Sequence, residues 1–254
     1  MRHNVTERTM RASPPSEPDP RAQFWDTWNR EWRFRIDDDA FMARQRHTTL
    51  AVARAIGLCD GRILDVGCGT GWLADALRPF GRVWGTDLAE GAIAEGARRY
   101  PDVQFIGGEF LAVELPGPFD LVVSADALPH MSDHDAFFNR IADLVRPGGT
   151  FLLMTQNPFV WKRYSRIRHV PAFLPHSHPA TWPTFSAIRR RLAPAFDLQH
   201  VSTLDPGGDL GVLFWVENRY VYGVMRRLLP GGRWQALLER LRVGRELVIV
   251  ARRR

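Results

Sequence analysis

The sequence predicts an α/β fold in which a mostly parallel sheet is flanked by helices. Two observations predict it. From Arg62 onward, short apolar runs alternate with helical patterns, which implies parallel strands joined by crossovers. Within that stretch, Ile63-Leu64-Asp65-Val66-Gly67-Cys68-Gly69-Thr70-Gly71 carries an apolar strand into three alternating glycines and then a helical pattern. Glycines permit positive φ and close approach of a ligand to the backbone.

The chain has 254 residues, 45% of them hydrophobic. That length suits one domain with additions, because single cores grow to roughly 250 residues before splitting. Residues 1–22 hold Pro14, Pro15, Pro18 and Pro20 among small and charged residues. Such a stretch cannot bury enough apolar surface to offset its ordering entropy and is expected to be a disordered arm. Phe24, Trp25, Trp28 and Trp32 then recur at helical spacing, as does a second pattern from Asp39 to Ile56 that stops before Gly57. Together, residues 23–57 read as an N-terminal helical lid or as packing on a sheet edge.

Strands are expected near 62–67, 82–87, 103–107, 119–124 and 150–155, with helices near 70–79, 89–99 and 134–145. Arg146-Pro147-Gly148-Gly149 ends the third of these helices and turns the chain into the fifth strand. Residues 156–180, rich in proline, histidine and aromatics, read as an irregular excursion over the sheet. A helix near 184–193 and a strand near 196–204 follow. Two short amphipathic helices, 219–229 and 233–242, surround Pro230-Gly231-Gly232, and the last strand runs from Glu246 to Ala251.

Bulk properties narrow the class. No run of about 18 apolar residues exists, so no membrane-spanning helix is expected, and nothing apolar follows the charged N-terminus as it would in a secretory signal. Cys59 and Cys68 are the two cysteines; they form neither a disulfide framework nor a metal-ligand spacing, which fits a reducing, cytoplasmic setting. The net charge of +6 comes almost wholly from arginine, Lys162 being the one lysine. The arginines are spread along the chain, so a solvated surface is a better reading than a nucleic-acid interface.

The spacing of the glycine loop separates two ligand classes. A dinucleotide fingerprint, G-x-G-x-x-G, needs glycine at 72 or 74, where Trp72 and Ala74 stand. The pattern of an acidic residue, one apolar residue and G-x-G-x-G, met by Asp65, Gly67, Gly69 and Gly71, resembles the nucleoside-binding motif of the class I S-adenosylmethionine-dependent methyltransferases of small-molecule type. Companion motifs follow in order: Val83-Trp84-Gly85-Thr86-Asp87, Gly107-Gly108-Glu109-Phe110, Phe119-Asp120-Leu121-Val122-Val123-Ser124, and Arg146-Pro147-Gly148-Gly149-Thr150. The resemblance covers about residues 60 to 155.

That resemblance implies a Rossmann-like sheet of seven strands with an antiparallel last strand. Added to it are the N-terminal helices and a helical insertion before that strand. A methyltransferase domain would then span 23–254, with a cofactor-binding core at 60–155 and cap elements on the acceptor side at 156–180 and 207–243. The implied cofactor is S-adenosyl-L-methionine, with S-adenosyl-L-homocysteine as product. Its implied contacts are Asp65, Gly67, Cys68, Gly69, Gly71, Asp87, Leu88, Glu109, Phe110 and Ser124. Asp87 would accept from both ribose hydroxyls, a bidentate task that suits a carboxylate, or would cap the helix starting near Glu90. Glu109 and Phe110 would take the adenine amino group and ring face, although aspartate is commoner than glutamate there.

Methyl transfer is an in-line displacement, so the protein mainly aligns nucleophile and methyl group. A base is needed only when the acceptor must lose a proton. The loop Ser124–Met131 should lie beside the acceptor, outside the carboxyl ends of the strands. His130, titrating near neutrality when unperturbed, is the candidate general base or else a loop-ordering residue; Asp126 shapes the site. Trp25, Trp28, His176 and His178 are candidate acceptor contacts. His176 and His178 lack a third ligand, and no metal is expected.

Absences narrow the acceptor. The place of a D/N-P-P-aromatic motif reads Asp126-Ala127-Leu128-Pro129; Asn157-Pro158-Phe159 follows the fifth strand instead. No cysteine stands where cytosine C5 methylation needs one, and no Tyr-x-x-x-Lys serves a short-chain reductase. A small organic acceptor with an O, N or C nucleophile is expected. Alternatives are a lipid-soluble, quinone-like acceptor at a membrane surface, or a non-catalytic cofactor-binding partner subunit. The 219–242 insertion is expected to complete the acceptor pocket or a homodimer contact, while its arginines and aromatics also suit a membrane surface.

Overall fold

The computed structural model describes residues 19–31, 40–160, 182–206 and 219–254. A seven-stranded sheet runs in the order β3-β2-β1-β4-β5-β7-β6. Its strands are β1 (Gly61–Val66), β2 (Gly81–Asp87), β3 (Gln104–Gly107), β4 (Phe119–Ala125), β5 (Val145–Gln156), β6 (Phe196–Pro206) and β7 (Gly244–Arg253). β1 through β5 pair in parallel, and β7 lies antiparallel to both β5 and β6. This is the Rossmann-like sheet with an antiparallel last strand that the motifs imply.

The helices are α1 (Pro20–Glu31), α2 (Ala40–Ala55), α3 (Trp72–Leu77), α4 (Glu90–Arg99), α5 (His134–Leu144), α6 (Phe185–Leu192), α7 (Arg219–Leu228) and α8 (Arg233–Arg240). Side chains alternate across the strands, and the sheet divides two cores. Ile63, Leu121, Val123 and Leu152 pack with Ala53 of α2 and with Leu73 and Leu77 of α3. Leu64, Val66, Val122, Phe151 and Leu153 pack with Phe137 and Ile141 of α5 and with Ile188 and Leu192 of α6. Both faces are covered, which explains why β1 and β4 read as continuous apolar runs. Asp133 caps α5, accepting from the amides of Asp135 at 2.8 Å and Ala136 at 3.0 Å, and Thr184 caps α6; both residue types serve orphan amides at helix starts.

Two boundaries differ from the sequence reading. The expected arm of residues 1–22 is shortened at its end, because α1 already begins at Pro20. Asp19 accepts from the Arg21 amide at 2.8 Å, a start signal reinforced by proline in the first turn. The fifth strand begins at Val145, not near 150. Val145 pairs with Phe119 and the ladder resumes at Leu121 with Thr150, so Arg146–Gly149 is a bulge with Gly148 at φ 76°. Trp32, His176, His178 and the 161–181 and 207–218 parts of the cap elements lie outside the described residues.

Candidate functional site

Strand order reverses between β1 and β4, and the crevice beyond such a switch point is where open α/β sheets bind ligands. The glycine loop sits there with Gly67, Gly69 and Gly71 at φ 74°, 54° and 83°. A Cβ on Gly67 would stand 2.4 Å from that of Ala127, and one on Gly71 2.3 Å from the Phe105 ring. The loop is laced to β2: the amides of Gly67 and Cys68 donate to the Thr86 carbonyl at 2.8 and 3.1 Å, and that of Gly69 to Asp87 Oδ2 at 2.8 Å. Asp87 Oδ1 accepts from the Ala89 amide at 2.9 Å. Asp87 therefore braces the loop and the entry to α4.

A cavity of about 280 Å³ opens from this loop. Asp65, Gly67 and Cys68 line it on the β1 side and Ala125 and Asp126 on the β4 side. α1 and α2 contribute Trp28, Phe41, Met42 and Gln45; β5 and β7 contribute Gln156, Arg245 and Glu246. Buried Gln45 organises one wall: its Nε2 donates to Asp126 Oδ2 at 2.8 Å and to Glu246 Oε1 at 2.7 Å. Asp126 is at φ 59°, and its amide donates to Met154 O at 2.9 Å. A left-handed aspartate at a strand end is mildly strained, a feature that gathers at functional sites.

The donor set fits a sulfonium nucleoside. Asp87 is a carboxylate acceptor of the type ribose hydroxyls need, buried Asp65 brings a negative charge to the cavity wall, and the Ser124 hydroxyl, fully buried outside that lining, makes no hydrogen bond to the protein. Leu88 follows Asp87, half-buried.

Other sequence expectations shift. Glu109 is ion-paired to Arg21 of α1 at 2.8 Å, so a ligand amino group at Glu109 shares it with, or displaces, that guanidinium. Phe110 is 4% exposed; its ring packs 5.4 Å from Phe137, with the Arg140 guanidinium 5.4 Å over it. Its ring is part of the core on that face of the sheet.

His130 ends a 3-10 turn, Leu128–His130. Its imidazole packs edge-on to Trp25 at 4.6 Å between centroids, and burial holds its pKa down to about 4. It is not among the residues lining the cavity, whereas Asp126 is. α1 thus crosses the strand ends at three points: Arg21 on Glu109, Trp25 on His130, and Asp26 accepting from the Ala92 amide of α4 at 3.2 Å. Among the described residues, none from 219–243 lines the cavity. α8 packs instead on β6, at the sheet edge, and its Leu238 is buried.

Sequence reasoning missed Gln45, Gln156, Arg245 and Glu246. A glutamine buried inside a helical pattern leaves no sequence mark. Glu246, charged at the head of the apolar run Leu247-Val248-Ile249-Val250, did carry one, since a carboxylate is almost never buried without a partner. Asn157, set aside as a motif, is structural: its Nδ2 donates to the carbonyls of Arg242 and Gly244 at 3.0 and 2.8 Å, pinning β5 to β7.

Residues 63–149 match a family model described as a methyltransferase domain. Ubiquinone biosynthesis O-methyltransferase of Xanthomonas campestris is 38% identical over 114 residues, 42% of this chain and 47% of that protein. The protein of the same name from Pseudomonas aeruginosa is 33% identical over 138 residues, 51% of this chain and 57% of its own length. The chain thus spans about half the length of the curated relatives it matches. Among solved structures, magnesium protoporphyrin IX methyltransferase of Synechocystis with bound S-adenosylhomocysteine superposes with TM-score 0.64, 16% identity, and coverage of 92% of this chain and 100% of that one. The N-methyltransferase NodS of Bradyrhizobium japonicum does so with TM-score 0.62, 14% identity, and coverage of 91% and 97%. The glycine-loop geometry, the strand order and the matched region agree: residues 63–149 carry a methyltransferase domain, set in the Rossmann-like sheet of the class I methyltransferases.

Proposed function

We propose that this protein transfers a methyl group from S-adenosylmethionine to an oxygen, nitrogen or carbon nucleophile of a small organic acceptor. The observation that carries the proposal is the cavity at the switch point, which runs from Gly67 and Cys68 of the glycine loop to Asp126, with Asp87 bracing the same loop through the Gly69 amide. When bound, the cofactor supplies the electrophilic methyl group. The chain's own residues bind and align: Asp87 takes the ribose hydroxyls, Asp65 the ammonium, and Asp126, tethered by Gln45, orients the acceptor.

His130 is the proposed proton acceptor where the acceptor must be deprotonated. Burial keeps it neutral at physiological pH, so one ring nitrogen carries no proton and can accept one. The matched relatives named for ubiquinone biosynthesis favour, as a second reading, a hydroxyl on a quinone-like ring. Both readings are tested by incubating the protein with methyl-labelled S-adenosylmethionine and a panel of catechols, hydroquinones and amines. Label entering one class identifies the acceptor. Cofactor binding without label transfer to any class would leave a non-catalytic binding subunit as the function.

A further inference from the structure

α7 and α8 carry the same surface design. On α7, Tyr220, Val224 and Leu228 recur every four residues, one helix face, and Tyr220 and Leu228 are 67% and 68% exposed. Exposed Arg227 adjoins that stripe in the helical projection. Leu237 on α8 and Leu241 just beyond it, the latter 62% exposed, repeat the pattern, with exposed Arg233 and Arg240 on the flank. Five large apolar side chains on consecutive helices are more than the scattered exposure of an ordinary surface.

The charge is one-sided. Residues 219–242 contain six arginines, Arg219, Arg226, Arg227, Arg233, Arg240 and Arg242, and a single acid, Glu239. A second copy of this chain seated on the same face would bring arginine rows together. An anionic lipid surface answers both features, with acyl chains for the aliphatic stripe and headgroups for the guanidinium flank. No helix among the described residues is long and apolar enough to cross a membrane, so the helices would lie on the surface.

We propose that α7 and α8 form a docking face for an anionic membrane surface. Arg245 and Glu246 of the cavity wall follow α8 by a few residues in the chain. Docking would set the cavity beside a lipid-soluble acceptor, yet the inference stands on the surface alone and does not need the methyl-transfer reading.

The test is co-sedimentation of the full chain with phosphatidylcholine vesicles and with vesicles of equal parts phosphatidylcholine and phosphatidylglycerol. Binding to the anionic vesicles only, weakened by salt, is expected. Val224→Glu with Leu228→Glu should abolish it. Replacing Arg227, Arg233 and Arg240 by glutamine should weaken it by about a hundredfold, about fivefold for each. These positions are exposed, and unchanged circular dichroism would show the variants folded. Equal binding to both vesicle types, no binding to either, or retention by the glutamate variant would overturn the proposal. So would a dimer in sedimentation analysis that the glutamate variant dissociates, which would make the face a contact between copies.

Discussion

At the scale of single residues, polar groups inside the cavity wall decide the chemistry. Gln45 gives one amide nitrogen to two carboxylates, and removing a donor from buried charged acceptors leaves them short of hydrogen bonds. Gln45→Leu should therefore destabilise the protein by about 2 kcal/mol in chemical denaturation, with Asp126 losing its orientation. His130 yields a pH prediction. Its folded pKa, about 4, lies below the ordinary value of 6.5 because burial disfavours the imidazolium. The unfolded chain then binds the proton more readily than the folded one, so stability is full above about pH 6.5 and falls between there and pH 4. The loss is up to about 3 kcal/mol. Denaturation at pH 7 and pH 4.5 should show the loss in the wild type and much less of it in His130→Gln. The same depressed value places the acid limb of any His130-dependent rate near pH 4; a limb near 6.5 would point to another base.

At the scale of elements, packing rather than propensity sets what the sequence revealed. β1 and β4 were legible because both faces are buried and their residues are nearly all apolar. α1 was legible as a tryptophan stripe, but its start at Pro20 was not, because it depends on Asp19 folding back on Arg21 and on Arg21 reaching Glu109, a residue 88 positions away in a separate motif. Phe110 shows what a motif leaves out: the resemblance implies a ring for the adenine, and in the structure that ring packs into the cluster of Phe137, Phe138 and Phe151. Phe137 is fully buried at the centre of that cluster. Phe137→Ala should cost about 3–5 kcal/mol of stability, the range for large core aromatics, and should loosen the Glu109–Phe110 turn with it. Thermal unfolding with and without S-adenosylmethionine would read both effects.

At the scale of the molecule, the strand–helix alternation and the glycine register made the sheet and the place of the glycine loop in it readable. Those features are local, each motif lying within a few residues of the next strand end. The far wall of the cavity was readable only at Asp126, since Gln45, Gln156 and Glu246 come from three separate elements and meet it only in the folded chain. The helices at 219–240 were legible as helices, but the sequence left their role open among cap, dimer contact and membrane surface, because amphipathic spacing gives a helix and not the surface it rests on. The central claim is that the loop of Gly67, Gly69 and Gly71, braced by Asp87, binds a sulfonium nucleoside. Calorimetric titration of the purified protein with S-adenosylmethionine, S-adenosylhomocysteine and NADH, repeated with Asp87→Ala, tests it most directly. Binding of both sulfur nucleosides but not NADH, weakened by about 1.5–3 kcal/mol in the variant, is the expected result. Binding of NADH alone, or of none of the three, would contradict it.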